Sequence, residues 1–129
     1  MNQAEGLREV RLSIPAEKAY GTVASLALSG MGMVAGLDVD LLGDLRTVTM
    51  ECLDCLMNQS ARPATIEMAA RIETDRLCVS FRACERERIQ QCDELALDIT
   101  RGVLETLMPQ VHLDVDEDGV HGIECSMPV

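Results

Sequence analysis

Tryptophan is absent from this chain, and the remaining aromatic side chains amount to one tyrosine, Tyr20, and one phenylalanine, Phe81. Stacking of bases or sugars on aromatic rings is therefore scarcely available. Any core has to be assembled from Leu, Val, Ile, Ala and 8 Met. Positive charge is also thin. Lys18 is the sole lysine, 11 Lys and Arg stand against 22 Asp and Glu, and the formal net charge is −11. No run of arginines forms a patch, so neither a nucleic-acid phosphate backbone nor an anionic membrane is an expected partner. A neutral or basic protein surface suits this chain better.

Long apolar runs are missing too. None approaches the roughly 20 residues needed to span a bilayer, and the opening MNQAEGLREV has neither the basic start nor the apolar middle of a signal peptide. The expected location is the cytoplasm. Its 129 residues fit one domain, residues 1–129, able to bury a core without disulfides or metal. The 6 cysteines (Cys52, Cys55, Cys78, Cys84, Cys92, Cys125) then read first as free thiols and small core hydrophobes.

The clearest pattern runs from Leu37 to Ser60. Apolar residues at Leu41, Leu45, Val48, Cys52, Cys55 and Leu56 have the three-and-four spacing of a helix with one buried stripe. Asp38 or Asp40 can cap its start, and Pro63 keeps Arg62 out of helical geometry beyond its end. Beside the stripe lies a polar row, Asp44, Glu51, Asp54 and Asn58, which borders the active face if the protein has one.

Upstream, Val10 to Ile14 alternates and stops at Pro15, which predicts a short edge strand. Ala16 to Ala35 has a helical rhythm in Val23, Leu26, Ala27, Met31 and Val34, with Gly36 as its C-cap. Downstream, the alternations Ile66–Ile72 and Leu77–Phe81 around Glu73, Thr74 and Asp75 predict a hairpin. After the polar connection from Cys84 to Glu94 comes a third helix carrying Ala96, Ile99, Val103, Leu104 and Leu107, stopped by Pro109. Two last strands, Val111–Val115 and Val120–Met127, turn around Asp118-Gly119. The order β-α-α-β-β-α-β-β predicts a two-layer α/β sandwich: a mixed, mainly antiparallel sheet of about five strands with three helices on one face.

Several short words in the sequence are informative together: IPAEKAY before the first helix, LALSGM within it, LLGDL entering the second with Glu51 beyond, and LETLMPQV in the third. From about Val10 to Met127 the chain resembles the bacterial anti-sigma-factor serine kinases, members of the histidine-kinase-like (GHKL) ATPase superfamily. That resemblance implies ATP and magnesium as cofactors, a homodimer, and a sigma factor or an anti-anti-sigma factor as partner. It also implies three nucleotide boxes, and each is altered here. Glu51 matches the family's base, but Cys55 stands at the magnesium-binding asparagine, a soft thiol ill suited to a hard cation. Where the family has Asp-x-Gly-x-Gly after the strand ending near Phe81, this chain reads SFRACERER. Ala83 and Cys84 occupy that box, and Arg82, Cys84 and Glu85 crowd it.

The glycine-rich start of the third helix is replaced by Leu97, Asp98 and Thr100, which sets a carboxylate where phosphate would bind. The lid between these boxes is shortened. The expectation is a degenerate member of the fold, with the ATP site lost and no cofactor retained, acting through protein contacts. The alternative is an atypical ATP-dependent serine kinase using Glu51 as base.

Two other constellations invite chemistry. Cys52-Leu-Asp-Cys55 has a metal or redox spacing, yet both sulfurs fall on the apolar stripe and no second pair completes a zinc site. Cys84 and Cys92 are the expected exposed thiols. His112 and His121, with Asp114, Asp116 and Glu124 nearby, could meet across the terminal hairpin and bind a cation, although acidic strand faces are usually solvated.

Overall fold

A computed structural model describes residues 8–59, 61–85, 87–88, 94–107, 110–117 and 119–129. Strand β1 (Glu9–Pro15) leads through a 3-10 turn (Lys18–Tyr20) into helices α1 (Gly21–Ala35) and α2 (Val39–Met57). Then follow β2 (Ala61–Arg62), the hairpin β3 (Thr65–Glu73) and β4 (Arg76–Cys84), β5 (Glu87–Arg88), helix α3 (Glu94–Leu107), and the hairpin β6 (Gln110–Asp116) and β7 (Gly119–Pro128). The two-layer expectation holds. Five strands in the order β1-β3-β4-β7-β6 form the sheet, and β2 pairs with β5 in a separate two-stranded ribbon.

The sheet is not mixed. All four neighbouring pairs are antiparallel, because β7 lies between β4 and β6 and separates the two strands that the α3 crossover makes parallel. Alternation along the strands sorts the residues by face. Ile66, Met68 and Ala70 of β3, Leu77, Val79 and Phe81 of β4, and Ile123, Cys125 and Met127 of β7 are buried under the helices. Glu67, Arg71, Arg82 and Glu124 point the other way and are exposed. Each large apolar side chain in that buried layer contributes about 1.5–3 kcal/mol.

Helix α2 is the centre of the helical layer, touching α1 on one side, α3 on the other, and β4 and β7 beneath. Its stripe is as the spacing predicts: Leu45, Val48, Cys52, Cys55 and Leu56 are buried, and Leu41 packs at the margin. Asp38 is the N-cap, its Oδ1 accepting from the Leu41 amide at 2.9 Å. Gly36 ends α1 at φ 86°, a left-handed position that glycine adopts without the penalty a side chain brings.

Helix α1 behaves otherwise. The rhythm Val23, Leu26, Val34 faces solvent, and the buried side is built from the small residues Gly21, Ala24, Ser25 and Gly32 with Leu28. Close approach is the reason. A Cβ on Gly32 would stand 2.6 Å from Leu42 Cδ2, so glycine there lets α1 press against α2 without displacing that side chain. Helix α1 also starts later than Ala16, since Lys18–Tyr20 is a 3-10 turn. Pro109 and Asp118, expected to stop α3 and turn the last hairpin, lie outside the described residues.

Candidate functional site

The polar row of α2 does not converge on a pocket. Asp44, Glu51 and Asp54 are half-buried along the helix, and Asn58 is exposed at its C-terminal end. There Asn58 acts as a cap: its Nδ2 donates to the Asp54 carbonyl at 2.7 Å, and its amide donates to the Cys55 carbonyl at 3.3 Å. Helix ends leave carbonyls unmatched, and side chains that reach back satisfy them.

Gln59 completes that end and was not singled out by any sequence pattern. It is 6% exposed. Its Nε2 donates to the Cys55 carbonyl at 2.7 Å and approaches Cys55 Sγ at 3.6 Å, while its Oε1 accepts from the Val120 amide at 2.9 Å. One amide side chain thus ties the end of α2 to the start of β7. A lone glutamine between a helix and a proline gives no periodic signal, so it is legible only in three dimensions.

Three of the positions matched to nucleotide boxes are closed. Cys55 is 6% exposed and in contact with Gln59, Ala83 is 9% exposed at the end of β4, and Thr100 is 8% exposed on α3. Asp98 is exposed, as is Ile99. Helix α3 begins at Glu94, which puts Asp98 and Thr100 beyond its first turn. Amides there bond to carbonyls four residues back, so they are not offered to a phosphate. Cys84 is half-buried beside Glu67, and burial together with that carboxylate pushes its thiol above the ordinary value. The side chain of Leu97, Cys92 and most of the polar connection lie outside the described residues.

The thiols of Cys52 and Cys125 meet in the core between α2 and β7. Burial, reinforced by the hydrogen bond with Cys125, pushes the Cys52 thiol well above the ordinary value. Cys52 and Cys55 are both buried among the core side chains, and the raised Cys52 thiol disfavours the thiolate, which is the reactive and metal-binding form. Cys78 is half-buried on the opposite face of the sheet, its thiol raised by burial and by Glu73.

The two histidines stay apart. His112 faces Glu124 across the ladder and lies 2.9 Å from Asp114 Oδ1. The register slips from Asp114↔Gly122 to Val115↔Val120, which makes His121 the extra residue of a β-bulge. Its Nδ1 is buried 3.4 Å from Asp116 Oδ2 without making a hydrogen bond. Among the described residues no group of three or more His, Cys, Asp or Glu is placed to hold a metal ion.

On the uncovered face of the sheet lies a groove of about 720 Å³. Small side chains floor it, Ala69, Cys78, Ser80 and Ser126, and Arg71, Arg76, His112 and Glu124 stand along it. Several of these polar side chains bond to one another within the face. Arg71 Nε donates to Glu73 at 3.0 Å, and Arg76 Nη1 donates to Gln110 Oε1 at 3.0 Å, which also accepts from Ser126 Oγ at 3.0 Å. Among the described residues no helix is long and apolar enough to cross a membrane.

No protein-family model matches the chain, and a search of curated proteins finds no match.

Proposed function

We propose that this chain is a regulatory module that works by docking on another protein, in the manner of an anti-sigma factor, on a histidine-kinase-like (GHKL) domain whose nucleotide place is filled by its own side chains. The observation that carries the reading is the burial of Cys55, Ala83 and Thr100, one position from each of the three nucleotide boxes that the resemblance implies. ATP and magnesium do not fit these residues. A buried thiol in contact with Gln59 offers no hard oxygen ligand to magnesium, and Ala83 offers no hydrogen bond to adenine. No phosphoryl-transfer step is therefore assigned to the chain. What supports docking is its surface: net charge −11 and an exposed, uncharged helix α1. A sigma factor or an anti-anti-sigma factor with a neutral or basic face is the partner class this reading names.

Thermal unfolding with and without millimolar MgATP tests it. A ligand present at a hundred times its dissociation constant stabilises by about 2.7 kcal/mol, so real binding raises Tm by several degrees, whereas docking without nucleotide leaves Tm unchanged. The competing reading, a serine kinase, keeps one favourable feature, the half-exposed carboxylate of Glu51 on α2. Phosphorylation of a partner that Glu51→Ala abolishes would establish it.

A further inference from the structure

The open face of the sheet is floored by small side chains at its centre. Ala69, Cys78, Ser80 and Ser126 stand on the inner strands β3, β4 and β7, where β-branched and aromatic side chains are the usual occupants. Their small size leaves room for the groove of about 720 Å³. The groove crosses the strands rather than following one. Glu9, Arg71, Cys78, Ser126 and Gln110 line it and are successive register partners from edge strand β1 to edge strand β6. Four steps between strands of about 4.8 Å each make it about 19 Å long, the length of about six residues of extended chain.

Its walls are held from within. Ser126, 8% exposed, donates to Gln110 Oε1 at 3.0 Å, and that oxygen also accepts from Arg76 Nη1 at 3.0 Å. Arg71 Nε donates to Glu73 at 3.0 Å, and Arg71 faces Glu9 across the ladder between β1 and β3. Four carboxylates line the groove, those of Glu9, Glu73, Glu105 and Glu124, against the two guanidiniums of Arg71 and Arg76. Glu9 and Glu73 are the ones beside arginines. Glu124 lies between Ser80 of β4 and His112 of β6, and among the described residues neither its carboxylate nor that of Glu105 forms an ion pair or a hydrogen bond.

We propose that the groove seats an extended basic segment of a partner protein, laid across the strands with an arginine or lysine head group on Glu124. Charge and size together select this occupant. Unanswered carboxylates on a body of net charge −11 attract cations, and a lone amine fills little of a space of this length. An extended chain sends alternate side chains to one side, so every second residue of the segment can reach the floor. The proposal deepens the docking reading and rests on it for the source of the segment. The two fail separately: MgATP binding overturns the docking reading and leaves the groove open, whereas a groove that takes no peptide leaves the filled nucleotide place as it stands.

Backbone amide NMR of the full chain, titrated with an acetylated and amidated hexapeptide of alternating arginine and alanine, tests it. Saturable shifts are expected at Cys78, Ser80, Glu124 and Ser126, and the glutamate counterpart of the peptide is expected to leave them unmoved. Glu124→Gln is expected to weaken binding about three- to fivefold, as loss of one partly exposed ion pair does. Ser80→Leu fills the floor without changing charge, and is expected to abolish the shifts with unchanged circular dichroism. Glu17→Gln removes the same charge at an exposed position outside the groove, and is expected to leave the affinity within about 1.5-fold. Shifts that are absent at millimolar peptide, scattered over the acidic surface, or weakened equally by Glu17→Gln and Glu124→Gln overturn the proposal. Spermidine binding as tightly as the peptide also overturns it, by assigning the groove to a free amine.

Discussion

Replacing Gln59 with leucine tests how the helical layer is joined to the sheet. Leucine has nearly the volume of glutamine, so no cavity opens, but three polar contacts go at once: Oε1 to the Val120 amide, and Nε2 to the Cys55 carbonyl and Sγ. The Cys55 carbonyl keeps the Asn58 amide at 3.3 Å. Val120 is fully buried and sits at the slip between β6 and β7, and its amide loses the Gln59 acceptor. A buried donor left unmatched costs about 1–3 kcal/mol. With an m-value of about 1.5 kcal/mol/M the urea midpoint falls by about 0.7–2 M, and Tm falls by about 4 °C per kcal/mol for a chain of this size. Urea titration followed by circular dichroism reads the first, and amide exchange at Val120 reads the local effect. A midpoint within about 0.2 M of wild type, with Val120 as protected as before, would show that Gln59 does not join the layers.

Glycine contacts separate two positions that look alike in sequence. Gly32→Ala is expected to destabilise by about 1–3 kcal/mol because Leu42, Leu45 and Leu37 all crowd the new methyl. Gly43→Ala, with open space around it on α2, is expected to stabilise by about 0.5–1 kcal/mol; equal effects from the two would contradict the packing described. Site-resolved alkylation of the native protein is expected to modify Cys78 and Cys84 while Cys52, Cys55 and Cys125 stay protected until unfolding. Stability is also expected to fall at alkaline pH. The folded Cys52 thiol is raised, so its protective effect is whole below the ordinary value of 9.0 and is lost above it, as the unfolded chain ionises and the folded one does not. The loss is about 1.4 kcal/mol per pH unit, and a flat profile from pH 9 to 10 in wild type, read by urea titration, would refute it.

Strand and helix positions were largely legible because burial leaves a period in the sequence. Alternation located β3, β4 and the last hairpin, and the six-residue stripe located α2 and its buried side. Period failed on α1, where apolar residues occur all round the helix. The large ones, Val23, Leu26 and Val34, look like a core stripe, but glycine and alanine make the actual contact with α2. The absence of charge from Gly21 to Ala35 was visible from the start and is the better signal of an open apolar face. The sheet was expected to be mixed because order along the chain does not reveal that β7 inserts between β4 and β6. Box by box, the nucleotide comparison identified Cys55, Ala83 and Thr100, and their burial is a fact of packing that spacing alone does not carry. Gln59 and the bulge at His121 left no trace in composition or period, since each depends on contacts between residues distant in the chain.

Backbone amide NMR during titration with MgATP is the most direct test of a nucleotide place filled by protein. Resonances of Glu51, Cys55, Ala83 and Thr100 are expected to stay fixed up to millimolar nucleotide. Saturable shifts centred on those four amides, with magnesium dependence, would contradict it.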